Sequence, residues 1–179
     1  MRLSDLLNEI TLPATNKSAA VELGNHGYSK IGAGSFAQVM AKPDSPYVVK
    51  LFRKDDAAYL AYLHLIQTHR NEHFPIIYGK PVLIKDRLTP YYAVRVEKLV
   101  PLKTNPNYDI IIDDLVSAKY HLIDYGTIPV EFYEKHPSLA QAMYLIYTKI
   151  VEPRHGYFDI KVENIMLRGS TIVLADPVA

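Results

Sequence analysis

Apolar residues in 28–52 are grouped into short stretches separated by polar and turn-forming residues, and this pattern predicts three short β-strands. The strands YSKIG, FAQVMAK and YVVKLF are separated by glycines and by the turn KPDSP, which together are typical of an antiparallel meander. Residues 55–70 have helical spacing instead, with Asp55 and Asp56 at the positive end of the helix dipole. One face of this predicted helix collects Ala58, Tyr62, Leu65 and Ile66.

Further strands and two long helices are predicted after residue 74. PIIYG and YYAVRVEKL are strand-like, with KDRLTP as the turn before the second. Pro101 and the run KTNPN mark a boundary, beyond which YDIIIDDLVSAKYHLIDYG and PSLAQAMYLIYTKIVEP have helical spacing. NIML and TIVLAD are expected to form a closing pair of strands around residues 168–170. The fold class is therefore α+β, with an antiparallel sheet plus one helix followed by a mainly helical part.

The first residues are expected to form an arm rather than a domain. SDLLNEI predicts a short amphipathic helix with Ser4 as its N-cap, and Pro13 and a polar stretch to about His26 follow it. The predicted organisation is an arm at residues 1–27, one unit at 28–100 and a second unit at 101–179.

Composition and charge exclude several classes of protein. An apolar content of 49% over 179 residues is enough for a hydrophobic core. The 20 basic and 19 acidic side chains leave a net charge of +1, which gives no basic footprint for nucleic acid. There is no cysteine and no apolar run of about 18 residues, so disulfides and membrane spans are not expected. We expect a soluble cytoplasmic protein that binds neither nucleic acid nor membrane.

Two glycines and a lysine are candidates for nucleotide binding. Gly32 and Gly34 lie between predicted strands, where the missing Cβ atoms let backbone N–H groups approach phosphate oxygens. Lys50 lies inside an apolar strand, where an unpaired ammonium group is costly. Each has an ordinary alternative: a simple hairpin turn for the glycines, and a solvent-facing position on an edge strand for Lys50.

Four polar residues near the C-terminus are candidates for phosphoryl transfer. In FDIKVENIML, Asp159 could accept a hydroxyl proton, Lys161 could neutralise a moving phosphoryl group, and Asn164 could offer an oxygen to Mg²⁺. Asp176 follows the apolar strand TIVLA, where a carboxylate is well placed to hold a metal ion. The alternatives are a polar loop for the first three residues and a capping role for Asp176.

The order of these parts resembles the signature of the protein kinases. IGAGSFAQV resembles the glycine-rich loop with Ala37 in place of its third glycine, VVK resembles the lysine strand, and FDIKVENIML is very similar to the catalytic loop. The resemblance covers residues 28–179. The ending DPV and the segments VVK and KDDAAY are similar to the small early-gene kinases of podophages, which phosphorylate host proteins on Ser or Thr and help to shut down host functions.

The resemblance implies a kinase-like fold of two lobes, the second truncated, that uses ATP and Mg²⁺ in the host cytoplasm. Lys50 would hold the α- and β-phosphates, Asp159 would deprotonate the substrate hydroxyl, and Lys161 would lie beside the γ-phosphate. Asn164 and Asp176 would bind Mg²⁺. The nucleotide would also be bound by residues of the glycine-rich loop, its following strand and the adenine-binding hinge, namely Gly32, Ala33, Gly34, Ser35, Phe36, Val39, Glu97 and Leu99.

The sequence departs from the kinase pattern at three places. Tyr157 and Phe158 replace the usual His-Arg, so no arginine there reads a phosphorylated activation loop. The helix after Lys50 has no glutamate at its middle, so either Asp55 or Asp56 substitutes as the partner of the lysine or the lysine is held differently. The resemblance ends with residues 177–179, so no activation segment or peptide-docking region follows.

Three functions remain open. The first is a minimal Ser/Thr kinase of host proteins and of itself, and the second is a kinase-fold protein that binds and inhibits or redirects a host protein. The third is a kinase-fold enzyme that acts on a small molecule or transfers a nucleotide.

The second part of the chain is expected to leave an apolar surface that a partner, a second copy or the arm covers. The residues expected on that surface are Ile111, Leu115, Met143, Ile146 and Ile150.

We assign no catalytic role to the histidines and tyrosines on the basis of the sequence. His64, His69 and His73 cluster near one predicted helix but lack the ligand set of a zinc site, and His69 and His73 are expected in solvent. The tyrosines Tyr59, Tyr62, Tyr144 and Tyr147 have helical spacing and are expected to pack with their hydroxyls outward.

Overall fold

The computed structural model describes residues 16–34, 37–84 and 90–179. The predicted helix at Ser4, the loop residues Ser35 and Phe36, and most of the turn KDRLTP lie outside these ranges. The described chain is an α+β protein with a five-stranded antiparallel sheet and several helices. It divides into two compact units, the first containing the described residues up to Asp56 and Ile76–Lys98, and the second Ala57–Pro75 and Leu99–Ala179.

The first unit is built on the five-stranded sheet, in the order β1-β2-β3-β5-β4. Its strands are β1 Ser29–Ala33, β2 Ala37–Ala41, β3 Tyr47–Arg53, β4 Val82–Ile84 and β5 Tyr91–Glu97. The first three confirm the predicted meander, because β1 pairs with β2 and β2 with β3 in antiparallel register. β3 is the central strand, which explains why nearly all of its residues are buried.

Helix α1, Asn16–Asn25, packs on one face of this sheet. Its buried residues Ala19 and Leu23 contact a core that includes Val49 and Leu51 of β3. A spacing of four residues places both on the same side of a helix. The expectation of a polar stretch up to His26 is therefore wrong for this segment, since the two apolar side chains anchor it to the sheet.

The predicted strand PIIYG is only partly correct. Ile77 forms an isolated bridge with Val96 of β5, and the regular strand lies further along the chain at Val82–Ile84. The backbone N–H of Ile76 is bonded to the Glu97 side chain at 2.9 Å. A strand ladder needs that donor for a backbone carbonyl, so regular pairing is lost here.

The second unit is mainly helical. Its helices are α2 Ala57–Thr68, α3 Tyr108–Tyr125, α4 Val130–Lys135 and α5 Pro137–Ile146, with a π-helical turn Tyr147–Val151 and two 3₁₀ turns, Leu102–Thr104 and Val162–Asn164. The predicted helices correspond to α2, α3 and α5, whereas α4 was not predicted. Gly126 ends α3 with a φ of 69°, a left-handed conformation that favours glycine.

A small sheet completes the second unit. It contains β6 Val100–Pro101, β7 Ile165–Arg168 and β8 Thr171–Leu174 in that order. β7 and β8 form the predicted pair, joined by a two-residue turn in which Gly169 has a φ of 60°. β8 is an edge strand of this sheet, which matters for the candidate site.

The prediction of an exposed apolar surface on the second unit is wrong for most of the residues that were expected to form it. Leu115, Met143, Ile146 and Ile150 are buried, and Ile111 is half-buried. They lie on the inward side of α3, α5 and the π-helical turn, where helical spacing collects the core. The large apolar side chains that are exposed in this unit are different ones, including Ile110, Tyr125, Val130 and Tyr133.

Within the described ranges, no helix is both long enough and apolar enough to cross a bilayer.

Candidate functional site

Several predicted nucleotide-binding residues lie in one row across the sheet of the first unit. Gly32 pairs with Val39, Val39 with Lys50, and Lys50 with Val94. Directly opposed residues of an antiparallel sheet share a face, so these four lie on the face opposite to α1. The row places Gly32 and Lys50 on the same face of the sheet, with Val39 of β2 between them.

Lys50 is buried in the central strand, with only 6% of its surface exposed. The alternative of a solvent-facing lysine on an edge strand is therefore wrong. An ammonium group is retained at such a position when it has partners in place of water. Lys50 is accordingly not without an interaction partner.

The glycine-rich segment forms the hairpin between β1 and β2. Gly32 and Ala33 belong to β1, and the backbone N–H of Gly34 donates to the carbonyl of Ala37 at 2.9 Å. The register shifts between Lys30 and Gly32, which is an irregularity of the kind that glycine tolerates. Gly34 has no atom within 4 Å of the place where a Cβ would lie, so this part of the hairpin has open space beside it.

Glu97 has a structural bond that the sequence did not predict. It lies at the end of β5 and is buried, and its carboxylate accepts the N–H of Ile76 at 2.9 Å. Its own backbone N–H donates to the Ile76 carbonyl at 2.9 Å. The predicted role of Glu97 used its backbone carbonyl, and that role remains a prediction. Leu99, predicted beside it, is half-buried and immediately precedes β6.

Three of the predicted catalytic residues come together in the second unit. The Lys161 Nζ donates to Asp159 Oδ2 at 2.6 Å, and the Asn164 side-chain amide donates to the same oxygen at 2.8 Å. The amide also donates to the Asp159 backbone carbonyl at 2.8 Å. Two donors therefore fix one carboxylate oxygen of Asp159, while Oδ1 is engaged by neither of them.

Asn164 connects this cluster to Asp176. Its backbone carbonyl accepts the N–H groups of Ala175 at 3.0 Å and Asp176 at 3.1 Å. The 3₁₀ turn Val162–Asn164 leads directly into β7, and β7 pairs with the strand that precedes Asp176. The predicted metal residues Asn164 and Asp176 are therefore held together through the backbone.

A second backbone connection runs between the residues around Asp159 and those around Asp176. The N–H of Asp159 donates to the carbonyl of Pro177 at 2.8 Å, and Tyr157 and Ala179 exchange N–H to carbonyl bonds at 2.9 and 3.0 Å. Phe158 and Val178 form the bridge between them, and both are buried. The candidate base and the candidate metal ligand thus belong to two paired segments.

The donor set fits a magnesium ion that is shared with a nucleotide. Mg²⁺ prefers oxygen ligands and is usually held by one or two carboxylates together with substrate phosphates. With the Asn164 amide NH₂ directed at Asp159, Oδ1 is the side-chain atom of Asn164 that suits a cation. Within the described residues no group of three or more His, Cys, Asp or Glu side chains forms a cage of its own.

The Asp159 carboxylate raises the pKa of Lys161 above its usual range, chiefly through their hydrogen bond. A raised lysine pKa favours the charged form in the folded state, so its small contribution to stability is present below the ordinary value of 10.5 and is lost as the pH rises through the folded value. The side chain is 53% exposed, so solvent screens this contribution.

In an Asp159→Asn variant the pKa of Lys161 is expected to fall, because its principal acidic partner is gone. An NMR titration that follows the ¹³Cε signal of Lys161 measures this directly. The matched variant is Glu163→Gln, which should produce a smaller fall because Glu163 is the weakest of the acidic neighbours. Equal falls in the two variants would show that general surface charge, rather than the hydrogen bond, sets the Lys161 pKa.

Gly156 is a site residue that sequence reasoning missed. It precedes the paired segment that carries Asp159, and a Cβ at this position would lie 2.5 Å from the Ala58 Cβ and 3.1 Å from the Ala179 carbonyl oxygen. Ala58 is buried in α2. The close approach of α2 to this segment therefore requires glycine.

Gly156→Ala is expected to destabilise the protein by about 1–3 kcal/mol, because a methyl group must be forced into an occupied space. The matched control is Gly24→Ala on α1, where nothing lies within 4 Å of the added Cβ; it should stabilise by about 0.5–1 kcal/mol. Urea unfolding followed by circular dichroism measures both changes. A Gly156→Ala protein as stable as the wild type would show that α2 can move aside.

Several interpretations of polar side chains are corrected by the structure. Asp55, a suggested partner for Lys50, is bonded to Arg53, with the Arg53 Nε at 2.9 Å from its carboxylate. His73 is not in solvent, since its side chain is 13% exposed and its Nδ1 lies 2.6 Å from the Ile172 carbonyl. The Tyr62 hydroxyl points inward rather than outward and donates to the Leu174 carbonyl. These contacts join residues far apart in the sequence, so no local pattern could reveal them.

Comparison with models of known protein families gave no match to this chain, and comparison with curated protein sequences gave none either. The function of this protein is therefore inferred from its residues and their geometry.

Proposed function

We propose that the protein transfers the γ-phosphate of Mg-ATP to Ser or Thr hydroxyls of proteins, with a kinase-like fold of two lobes. One observation carries the proposal: Lys161 and Asn164 both donate to Asp159, while the Asn164 backbone binds the Asp176 segment. Phosphoryl transfer needs a base, a cation beside the γ-phosphate and oxygen ligands for a metal ion. Asp159, Lys161, Asn164 and Asp176 of the second unit are the proposed groups for these three roles.

Asp159 is the proposed base. Its Oδ2 is fixed by two donors, so Oδ1 is the atom that would accept the proton of the substrate hydroxyl. Lys161 is protonated at neutral pH, as an ordinary lysine is, and Asp159 raises its pKa further. Its charge would offset the negative charge of the transferring group. Both side chains are partly exposed, which leaves room for a substrate.

Asn164 and Asp176 are the proposed metal ligands. These two residues would hold Mg²⁺, whose charge would offset the negative charge of the phosphates that repels the attacking hydroxyl. Asn164 connects the proposed base to the proposed metal ligand. Its NH₂ group orients Asp159, and its backbone carbonyl accepts the N–H groups of Ala175 and Asp176. In the first unit, Lys50 and the hairpin at Gly32 and Gly34 would bind the remaining phosphates, and Val39 would contact the nucleotide beside them.

The test is incubation of the purified protein with γ-labelled ATP and Mg²⁺ in the presence of a bacterial lysate. Asp159→Asn and Asp176→Asn proteins serve as inactive controls. Label on Ser or Thr of lysate proteins or of the protein itself, absent in both variants, would support the proposal. An adenylate instead of a phosphate mass increment would indicate nucleotide transfer.

A protein that binds ATP or a lysate protein but transfers no label would instead favour a kinase-fold binding protein. The pairing of Asp55 with Arg53 is the observation that favours this second function, because it occupies one of the carboxylates suggested as a substitute partner for Lys50. Such a protein should retain its capture of the lysate protein in the Asp159→Asn variant.

A further inference from the structure

The backbone of Leu174, two residues before Asp176, has both of its polar groups bonded away from β7. Its N–H donates to the His73 carbonyl at 2.9 Å, and its carbonyl accepts the hydroxyl of Tyr62. Leu174 pairs with Ile165 of β7, but the next bonds of the ladder run from Ala175 to Asn164. The Tyr62 hydroxyl therefore takes the place of a neighbouring strand at this edge.

Tyr62 itself is rigidly held. It is fully buried in α2, and its ring lies edge-on to Phe74 with 6.0 Å between ring centroids. Burial raises the pKa of the Tyr62 hydroxyl well above its usual range, and the nearby Asp176 carboxylate adds to that effect. The hydroxyl consequently stays protonated and remains a donor.

The rest of the β8 edge is bonded to the segment that follows α2. The His73 Nδ1 must carry a proton to donate to the Ile172 carbonyl, because a carbonyl oxygen can only accept. The Arg168 guanidinium donates to the carbonyls of Glu72 at 2.8 Å and Phe74 at 3.0 Å. The His73 side chain fixes the middle of β8, and Arg168 connects the end of β7 to the same segment. The bond from Tyr62 is made at Leu174, the last residue of β8.

We propose that Tyr62 is a positioning residue for the metal site, because its hydroxyl fixes the end of β8 from which Asp176 projects. Asp176 is then held from two sides, by the Asn164 carbonyl on one and through Leu174 by Tyr62 on the other. The inference rests on the proposed role of Asp176 as a magnesium ligand. Groups that orient metal ligands commonly change metal affinity by about 10- to 100-fold when removed.

The test measures the Mg²⁺ dependence of ATP binding by calorimetric titration of the whole protein, and beside it phosphate transfer as a function of Mg²⁺ concentration at saturating ATP. Tyr62→Phe keeps the ring and removes only the hydroxyl, and it is expected to raise the half-saturating Mg²⁺ concentration about tenfold while high Mg²⁺ restores most of the rate. The control is Tyr59→Phe, which removes another buried tyrosine hydroxyl from the same helix and should leave the half-saturating Mg²⁺ unchanged.

The Mg²⁺ midpoint separates positioning from simple loss of structure. A protein that is merely less stable has a smaller active fraction but an unchanged midpoint, and that result would overturn the inference while leaving the proposed function intact. Wild-type protein that transfers no phosphate at any Mg²⁺ concentration would overturn both. Should Tyr62→Phe fail to fold, Phe74→Leu keeps the hydroxyl but loosens the ring, and it must shift the midpoint in the same direction for the inference to stand.

Discussion

An Asp159→Asn protein is expected to transfer phosphate about 10²- to 10⁴-fold more slowly than the wild type, which is the usual contribution of a positioned general base. The substitution keeps the size of the side chain and removes its ability to take a proton. Single-turnover transfer from labelled ATP measures the chemical step without interference from product release.

The affinity for ATP distinguishes a lost base from a damaged site. It should change little in Asp159→Asn, since the proposed phosphate and metal ligands are other residues. The matched control is Asp124→Asn, which removes an exposed carboxylate from α3 and should leave the rate unchanged. A variant at position 159 that transfers phosphate at the wild-type rate would rule out Asp159 as the base.

Asp176→Asn is expected to raise the Mg²⁺ requirement by at least about 100-fold, because even the loss of an outer group around a metal site costs about 10- to 100-fold. The amide keeps one oxygen but loses the negative charge that attracts the cation. Calorimetric titration of ATP into the protein, with and without Mg²⁺, measures the effect. The binding of ATP without metal should be unchanged or stronger, since a negative charge near the phosphates has been removed.

The two aspartate variants should therefore fail in different ways. Asp159→Asn keeps metal-dependent ATP binding and loses chemistry, whereas Asp176→Asn loses the metal dependence of binding itself. Identical behaviour of the two would contradict the separate roles proposed here. Equal Mg²⁺ dependence of ATP binding in Asp176→Asn and wild type would show that the metal, if it binds, is held by other groups.

Local patterns predicted the regular elements of this protein well. Strands β1, β2, β3 and β5 are short runs of mainly strand-forming residues between turn-forming residues, and α2, α3 and α5 have apolar residues at helical spacing. The position of each element can therefore be predicted from its local sequence. The spacing of Asp159, Lys161 and Asn164 is also local, because a short turn brings them together. Such features can be predicted without knowing the tertiary structure.

The features that sequence reasoning missed depend on long-range contacts. The segment that forms α1 is predicted as a polar stretch, and the contact with the sheet is what places Ala19 and Leu23 in a core. Tyr62 and His73 bond to carbonyls about a hundred residues away in the sequence. The residues next to Tyr62 and His73 in the sequence do not reveal these bonds. Gly156 is required by the approach of Ala58, again a distant residue.

The cross-strand row of Gly32, Val39, Lys50 and Val94 has a consequence for length variation in related chains. A single residue inserted in β3 ahead of Lys50 would turn the lysine toward α1 and bring Val49 into the row, because side chains alternate between faces. The turn between β2 and β3 can change length without this effect, provided that the pairing of Val39 with Lys50 is kept. Insertions and deletions in evolution should therefore accumulate in residues 42–46 and be absent from the strands on either side.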